Sequence, residues 1–421
     1  MKNTKISTNA VLFTVFEIVN KAIPFLMLPI LTRFLTPNDY GLISIFIVFT
    51  SFFTIFIGLS GHGAINANYF KISKERLAAY ISNVILILSF SLIIILAITL
   101  LFGERIFLAF DLPIEWQFAA VFTSFCQYLT LINLTLWVAE QKPANHGIYQ
   151  ISQTSIYALI SITAVVFLDL EWVGHLSGLV ISSGLFGIVS IYFLYLRGYL
   201  HLKFRRLYLK DFLLFSLPLV PHQFGDWLRI QADKLLLISI LGVAATGGFS
   251  VAQQIAFIML IIITSLNKSL YPVLFKILSA KPDEAKKRSV VKASYLLGIG
   301  VTIVCMLGVA LTPLIYPYLL GDDFQNSIII TQLILVAMIF EAYYYIVVNY
   351  IFFHKRTKVL ALITFSMSMV HISLSFIFVA IFNFGAEAIA VSMIISSFLQ
   401  FLLVWVYSNR VYPMPWLLSR K

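Results

Sequence analysis

The chain has 421 residues, of which 60% are hydrophobic and only 11% are charged, and its mean hydropathy is +0.96. This composition excludes an ordinary soluble domain, in which about a quarter of the residues carry charge. The formal net charge is +11, but the basic residues are scattered over separate short segments. Such scatter argues against a nucleic-acid-binding protein.

Hydrophobic blocks follow one another along the whole chain, and twelve of them are long enough to cross a bilayer. A spanning helix needs about 20 consecutive apolar residues. We predict spans at residues 9–35, 40–63, 80–102, 115–138, 149–169, 174–196, 212–241, 246–267, 290–314, 326–350, 359–382 and 386–408. The pattern therefore predicts an all-α integral membrane protein with 12 transmembrane helices.

Basic residues occupy every second gap between these blocks, which predicts the topology. Of the 29 Lys and Arg residues, 24 lie in the two terminal tails or within or beside the even-numbered gaps. Only Arg33 and Arg105 lie within or beside the odd-numbered gaps. Because positive loops stay in the cytoplasm during insertion, we expect both termini to be cytoplasmic. We also expect the basic loops to attract membrane lipids with anionic headgroups.

The chain repeats itself weakly but in order, with an offset of about 205 residues. The segment Leu35-Thr-Pro-Asn-Asp-Tyr-Gly41 has a counterpart in Leu241-Gly-Val-Ala-Ala-Thr-Gly-Gly248. Further on, Tyr69-Phe-Lys-Ile-Ser73 corresponds to a similar segment at 271–279. We therefore expect one six-helix bundle at 1–207 and a second at 208–421, around a central cavity.

The first predicted helix of each half is long and carries two prolines, which are Pro24, Pro29, Pro218 and Pro221. Proline removes a backbone hydrogen bond and bends a helix, so these positions are candidate hinges. Membrane helices also tolerate proline without any such role, and both interpretations are open.

Helix 1 carries two charges at membrane depth, Glu17 and Lys21. Four residues separate them, so they lie one turn apart on the same face, in the favourable acid-then-base order. Charges inside a bilayer usually face a cavity or a partner. The pair either takes part in function or neutralises itself to tolerate burial.

Helix 7 carries a longer polar face, in which His222, Asp226, Arg229 and Asp233 follow at spacings of 4, 3 and 4. That spacing places all four on one side of a helix, with Lys234 adjacent. The face lines a water-filled cavity, or the stretch lies at the periplasmic interface where charge costs little. Apolar residues resume after Lys234, which favours the cavity.

Helix 10 contains Glu341, followed at four-residue steps by Tyr345 and Asn349 on the same face. A carboxylate beside aromatic and amide groups suits sugar binding or proton exchange. A purely structural hydrogen-bonded cluster is an equal alternative.

Motifs for cofactors are missing from the sequence. No GxxxxGK[ST] loop occurs, and Cys126 and Cys305 fall in predicted spans without metal-ligand spacing. We therefore expect no cofactor, no metal site and no catalytic residues. The energy for any work must come from an ion gradient, from substrate binding or from a partner.

Three segments of the chain carry a family resemblance. The first contains Pro24-Phe-Leu-Met-Leu-Pro29-Ile-Leu-Thr-Arg33, and the second is Leu217-Pro-Leu-Val-Pro221-His222 with Trp227 and Asp233 after it. The third is Tyr316-Pro-Tyr-Leu-Leu-Gly321-Asp-Asp-Phe324. These segments resemble O-antigen flippases, the Wzx type of polysaccharide transporter, within the superfamily of multidrug and oligosaccharidyl-lipid exporters. Helix number, orientation and loop lengths extend the resemblance over the whole chain.

The resemblance implies transport of an undecaprenyl-pyrophosphate-linked oligosaccharide, an O-antigen or related repeat unit of polysaccharide biosynthesis, from the cytoplasmic to the periplasmic leaflet. Lys21, Arg229 and Lys234 would then hold the pyrophosphate, and Tyr345 and Asn349 would contact the sugars. Exchange of H⁺ or Na⁺ would reset the cycle at one or more of five residues, which are Glu17, Asp226, Asp233, Glu341 and His222. The resemblance also implies a location in the bacterial inner membrane, with a polysaccharide polymerase and a chain-length regulator as protein partners.

Two other functions compete with this expectation. A multidrug antiporter would share the fold, but a site for cationic drugs should be dominated by carboxylates, whereas acids and bases are mixed here. A membrane-embedded polymerase or glycosyltransferase generally needs a large outer loop, and the outer gaps are short. Their one acidic pair is Asp322-Asp323.

Overall fold

The computed structural model describes residues 2–201, 203–280 and 282–417, with the backbone alone described at 2–8 and 10. All regular secondary structure in these ranges is helical. The chain divides into two compact units, residues 1–239 and 240–421. The boundary between the predicted six-helix bundles, at 207/208, stays a prediction.

The first unit contains nine helices within the described ranges. They are α1 (Lys2–Leu31), α2 (Pro37–Gly58), α3 (Gly61–Tyr69), α4 (Lys74–Phe110), α5 (Ile114–Ala139), α6 (Pro143–Ile162), α7 (Glu171–Leu196), α8 (Arg206–Ser216) and α9 (Val220–Leu241). The second unit begins at the end of α9. Its helices are α10 (Val243–Ser279), α11 (Glu284–Leu319), α12 (Ile328–Phe353), α13 (Thr357–Phe376) and α14 (Glu387–Val411).

Every predicted span falls on helical residues, which confirms an all-α fold with about twelve spanning segments. By length and apolar composition, 11 helices of the described chain qualify as spans. The predicted seventh span, which contains α9, is the exception. Its stretch from Asp226 to Lys234 holds two acidic and two basic residues, so its apolar windows are interrupted although its 22 residues suffice to span.

The predicted seventh span also differs in its beginning, because residues 212–241 do not form one long helix. Helix α8 ends at Ser216, and a 3-10 turn at Leu217–Leu219 separates it from α9. Pro218 lies in that turn and has no N–H to continue an α-helical ladder. Pro221 lies in the first turn of α9, where the N–H has no helical partner in any case.

The two units repeat one local pattern of helices with a constant shift. Helix α5 begins at Ile114 and α12 at Ile328, a shift of 214 residues, and α6 and α13 begin at Pro143 and Thr357 with the same shift. Both α6 and α13 continue into five-residue π-helical turns, at Thr163–Phe167 and Ile377–Ile381. Such matched irregularities support the internal repeat that the sequence suggests.

In the first unit, α5 packs against α2, α4 and α7, and α1 packs along α6. A glycine permits the second contact, since a Cβ built on Gly147 would lie 2.0 Å from Cγ of Phe16. Asn20 on α1 accepts a hydrogen bond of 2.7 Å from the Thr154 hydroxyl on α6. These contacts fix the face of α1 that carries Glu17 and Lys21.

Candidate functional site

The charged pair on α1 forms as the spacing predicts. Lys21 Nζ lies 2.7 Å from Glu17 Oε1, and half of each side chain is exposed. The His146 ring on α6 lies close enough to Glu17 for an electrostatic interaction with its carboxylate. Because charges inside a bilayer usually face a cavity or a partner, this half-exposed pair is a candidate for contact with a charged ligand.

The polar face of α9 is centred on Asp226. Its Oδ2 lies 3.6 Å from His222 Nε2 and its Oδ1 lies 3.9 Å from Arg229 Nη2. The three side chains are exposed by 74%, 53% and 57% for His222, Asp226 and Arg229, respectively. Both contacts are long, so the guanidinium of Arg229 can turn to an anionic ligand without losing a tight partner.

The two other charged residues of α9 have a different environment. Asp233 is only 6% exposed, although its spacing places it on the same helical side as Asp226. Leu237 and Ile238 are buried as well, so the second half of α9 is covered where the first half is open. Lys234 is partly buried beside Asp233. The predicted continuous face is therefore divided into an open part and a buried part.

Aromatic side chains join α9 to α2 in a cluster that sequence analysis did not identify. Trp227 Nε1 donates a hydrogen bond of 2.9 Å to Ser51 Oγ. Its ring stacks on Phe224 with centroids 5.7 Å apart and contacts Phe52 at 5.1 Å. The cluster fixes α9 next to α2 and places an aromatic surface one residue from Asp226. A phenylalanine-rich stretch in α2 was the available signal.

In the second unit, Tyr345 and Asn349 line a cavity of about 510 Å³ between α10, α11 and α12. Asn349 Nδ2 donates to Asn267 Oδ1 at 2.7 Å and to the Tyr345 carbonyl at 3.0 Å. The remaining lining is mostly aliphatic. Glu341, one turn before Tyr345, is half-buried and does not line this cavity.

The predicted residues thus form three groups. Glu17 pairs with Lys21 on α1, His222 and Arg229 flank Asp226 on α9, and Tyr345 and Asn349 share a cavity in the second unit. Pro24 and Pro29 lie inside α1, which is continuous. Whether these groups act together, and which of them bind substrate or ions, stays a prediction.

Comparison with known proteins identifies the family. The family model described as "Polysaccharide biosynthesis protein" matches residues 6–278, well over half of the chain. The chain belongs to the polysaccharide biosynthesis protein family. A Haemophilus influenzae protein named for the Lsg locus is 24% identical over 362 residues, which cover 85% of this chain and 87% of that protein.

Solved structures of other proteins share the fold of this chain. A multidrug-resistance MATE transporter of the MOP superfamily, in an inward-facing conformation, matches with a TM-score of 0.73 at 13% identity. The match covers 93% of this chain and 94% of the other. The lipid II flippase MurJ matches with a TM-score of 0.70 at 14% identity, over 95% and 87% of the two chains. The family and the transporter fold expected from the sequence resemblance are confirmed.

A second polar cluster lies at the ends of α5 and α7, and sequence analysis did not identify it. Glu140 Oε1 accepts hydrogen bonds of 2.7 Å from both Arg197 Nη2 and the Tyr199 hydroxyl. Lys142 Nζ lies 2.9 Å from Glu140 Oε2. Arg197 also donates to Asn133 Oδ1 at 2.6 Å. This cluster joins two segments distant in sequence, residues 133–142 and 197–199.

The electrostatics of that cluster favour the ionised carboxylate. Burial raises the pKa of Glu140, but the bonds from Arg197, Lys142 and Tyr199 together hold that pKa below its ordinary value. The Glu140 side chain is 11% exposed and that of Arg197 is 15% exposed. The cluster therefore has a structural role, because the side chains of Glu140 and Arg197 are scarcely accessible to a ligand.

Metal-binding and thiol chemistry have little support in the described part of the chain. There, no three His, Cys, Asp or Glu side chains are grouped so that they would hold a metal ion. Cys126 and Cys305 are buried free thiols.

Proposed function

We propose that the protein is a flippase that moves an undecaprenyl-pyrophosphate-linked oligosaccharide from the cytoplasmic to the periplasmic leaflet by alternating access. The observation that carries this proposal is the open charged face of α9. His222, Asp226 and Arg229 are all more than half exposed within a predicted span. Each charge costs about 2.5–3.5 kcal/mol to place in a bilayer, so such a face is expected to line an aqueous path.

The cargo has two parts that do not cross hydrocarbon unaided, a pyrophosphate and a polar oligosaccharide. In this proposal Arg229 and Lys21 hold the pyrophosphate through charge-assisted hydrogen bonds, with Lys234 as a third cation. The half-exposed Lys21 and the loosely paired Arg229 support that role more directly than Lys234 does. Tyr345 and Asn349 contact the sugars.

Coupling to H⁺ or Na⁺ is the second part of the proposal. Protonation of Glu17 would weaken its 2.7 Å pair with Lys21 and free the ammonium for the cargo. Asp226 stands in the same relation to Arg229, and His222 is a second proton acceptor on that face. Asp233 and Glu341 are further candidates, each with a less exposed side chain. The four candidate hinges are Pro24, Pro29, Pro218 and Pro221.

Membership of a polysaccharide biosynthesis family supports a cargo that contains sugars. The fold shared with a transporter supports transport rather than catalysis. A polysaccharide polymerase and a chain-length regulator are the proposed partners in the inner membrane, with cytoplasmic termini.

Multidrug export is the second candidate, and the fold shared with a MATE transporter favours it. The mixture of acid and base on α9 argues for an anionic cargo instead, because a cation would meet Arg229. Increased drug sensitivity after gene deletion, with normal surface polysaccharide, would support drug export.

The experiment compares Arg229→Gln and Lys21→Gln in cells that lack the native gene. The rate at which lipid-linked oligosaccharide reaches the outer leaflet is measured at matched protein levels. Loss of one hydrogen bond to a charged group, about 1.5–3 kcal/mol, predicts at least a tenfold slower rate. Arg105→Gln is the control, since Arg105 is an exposed arginine at the far end of α4. Unchanged rates in both site variants would refute the pyrophosphate role.

A further inference from the structure

Helix α8 has two apolar faces, of which the protein covers only one. Phe212 is fully buried in a core cluster that includes Ile65, Tyr80 and Tyr128. Leu207 and Leu214 are 71% and 67% exposed. Seven residues separate these two leucines, so they share one side of the helix, away from Phe212. An 11-residue helix thus presents an uncovered leucine face next to a well-packed one.

Two cations stand beside the uncovered leucines. Arg206 and Lys210 are exposed and lie one turn apart. Among the residues that the structure describes, neither forms an ion pair. The one acidic residue of α8, Asp211, is contacted instead by Asn68 of α3 at 3.5 Å. The positive charge of this face is therefore available to an external anion.

An open groove of about 860 Å³ runs along this side of α8. Its lining consists of Arg206, Leu207, Leu209, Lys210, Leu213, Leu214, Leu217 and Pro218. The two cations and most of the leucines lie on the same side of the helix. This arrangement suits an amphiphile that combines a phosphate headgroup with a hydrocarbon chain, since each part of it meets a matching surface.

We propose that α8 lies in the membrane interface and binds anionic phospholipid through Arg206 and Lys210, with the lipid chain along Leu207 and Leu214. Helix α8 follows the end of α7 and packs on the beginning of α4, so it lies at one end of the spans of its unit. The charge pattern assigns that end to the cytoplasm, where anionic lipids concentrate. The occupant is a bulk phospholipid because the cations and leucines form an open strip along the helix. This inference does not depend on the cargo proposed above.

The test places an environment-sensitive nitrobenzoxadiazole label on the thiol of Leu207→Cys in the full-length protein. The two native cysteines are buried, and any label that they take up is measured on the parent protein, which lacks the new cysteine. The labelled protein is reconstituted in phosphatidylcholine vesicles that contain a spin-labelled lipid quencher. The quencher is phosphatidylglycerol or phosphatidylcholine, at equal mole fractions.

The proposal predicts strong quenching by both lipids and a preference for phosphatidylglycerol of about fivefold per engaged cation. Arg206→Gln with Lys210→Gln should bring the preference close to one while quenching by phosphatidylcholine persists. Lys355→Gln with Lys358→Gln is the control, because both lysines are exposed in another basic segment, around the start of α13, and it should leave the preference intact.

Three results would overturn the proposal. Equal quenching by the two lipids in the parent protein would remove the anionic preference. Emission typical of water, without quenching, would show that α8 is not at the membrane. Displacement of phosphatidylglycerol by equimolar undecaprenyl pyrophosphate would assign the groove to that lipid instead. None of these results bears on whether flipping occurs.

Discussion

Replacement of Glu140 by glutamine should destabilise the first unit while preserving its shape. The carboxylate accepts two hydrogen bonds of 2.7 Å, from Arg197 and Tyr199, and pairs with Lys142 at 2.9 Å. Glutamine keeps the size and one acceptor oxygen but removes the charge, so Arg197 is left nearly buried without a counter-ion.

The size of the effect follows from burial. Removing one partner of a fully buried pair costs about 3–5 kcal/mol. Because the side chains of Glu140 and Arg197 keep 11% and 15% exposure and Asn133 still binds Arg197, we expect about 2 kcal/mol. For a folding unit of this size, that corresponds to a Tm lower by about 4–8 °C.

The pH dependence has a definite sign. The folded-state pKa of Glu140 lies below its ordinary value, so its contribution is fully present above the unfolded-state pKa of about 4.3. The contribution disappears as the pH falls through the folded-state pKa. The Tm difference between the parent protein and Glu140→Gln should be constant from neutral pH to about pH 5 and shrink below it.

The assay is thermal unfolding followed by intrinsic fluorescence in one detergent. Glu284→Gln is the matched control, because Glu284 pairs with Lys287 at 2.8 Å while its side chain is 69% exposed. Its loss should be within about 0.5 kcal/mol, as for other surface pairs. Equal effects of the two substitutions, or no effect of Glu140→Gln, would refute the argument from burial.

Two further predictions concern packing in the first unit. Gly147→Ala should lower the free energy of unfolding by about 1–3 kcal/mol, because its Cβ would lie 2.0 Å from Phe16 Cγ. Adding Phe16→Leu should restore part of that stability. Gly300→Ala is the control and should not lower the Tm, because the space around Gly300 is open. Trp227→Phe should cost about 1 kcal/mol through the lost bond to Ser51. Ser51→Ala in the same chain should add little, and full additivity in this double-mutant cycle would show that the bond does not contribute.

The spans were predictable because bilayer thickness and apolar composition determine them almost alone. The ends of the helices were less predictable. Helices α4 and α10 each have 37 residues and extend well past the apolar blocks, because a helix continues through polar residues that lie at or beyond the interface. The separation of α8 from α9 was missed, since Pro218 was interpreted as a bend within one helix instead of the break between two.

The candidate site was predictable only where its contacts are local. The pair of Glu17 with Lys21 follows from a four-residue spacing. The burial of Asp233 does not follow from its spacing, because burial depends on which neighbouring helix covers it. The bond between Glu140 and Arg197 joins residues 57 apart in sequence, and no periodic pattern indicates such a partner.

The most direct test of the proposed function is the leaflet distribution of lipid-linked oligosaccharide after deletion of this gene. An external sugar-specific probe assigns the leaflet. The proposal predicts accumulation confined to the cytoplasmic leaflet, with loss of surface polysaccharide, and recovery of both when the gene is restored. Repeat units that still reach the outer leaflet in the deletion strain would contradict it.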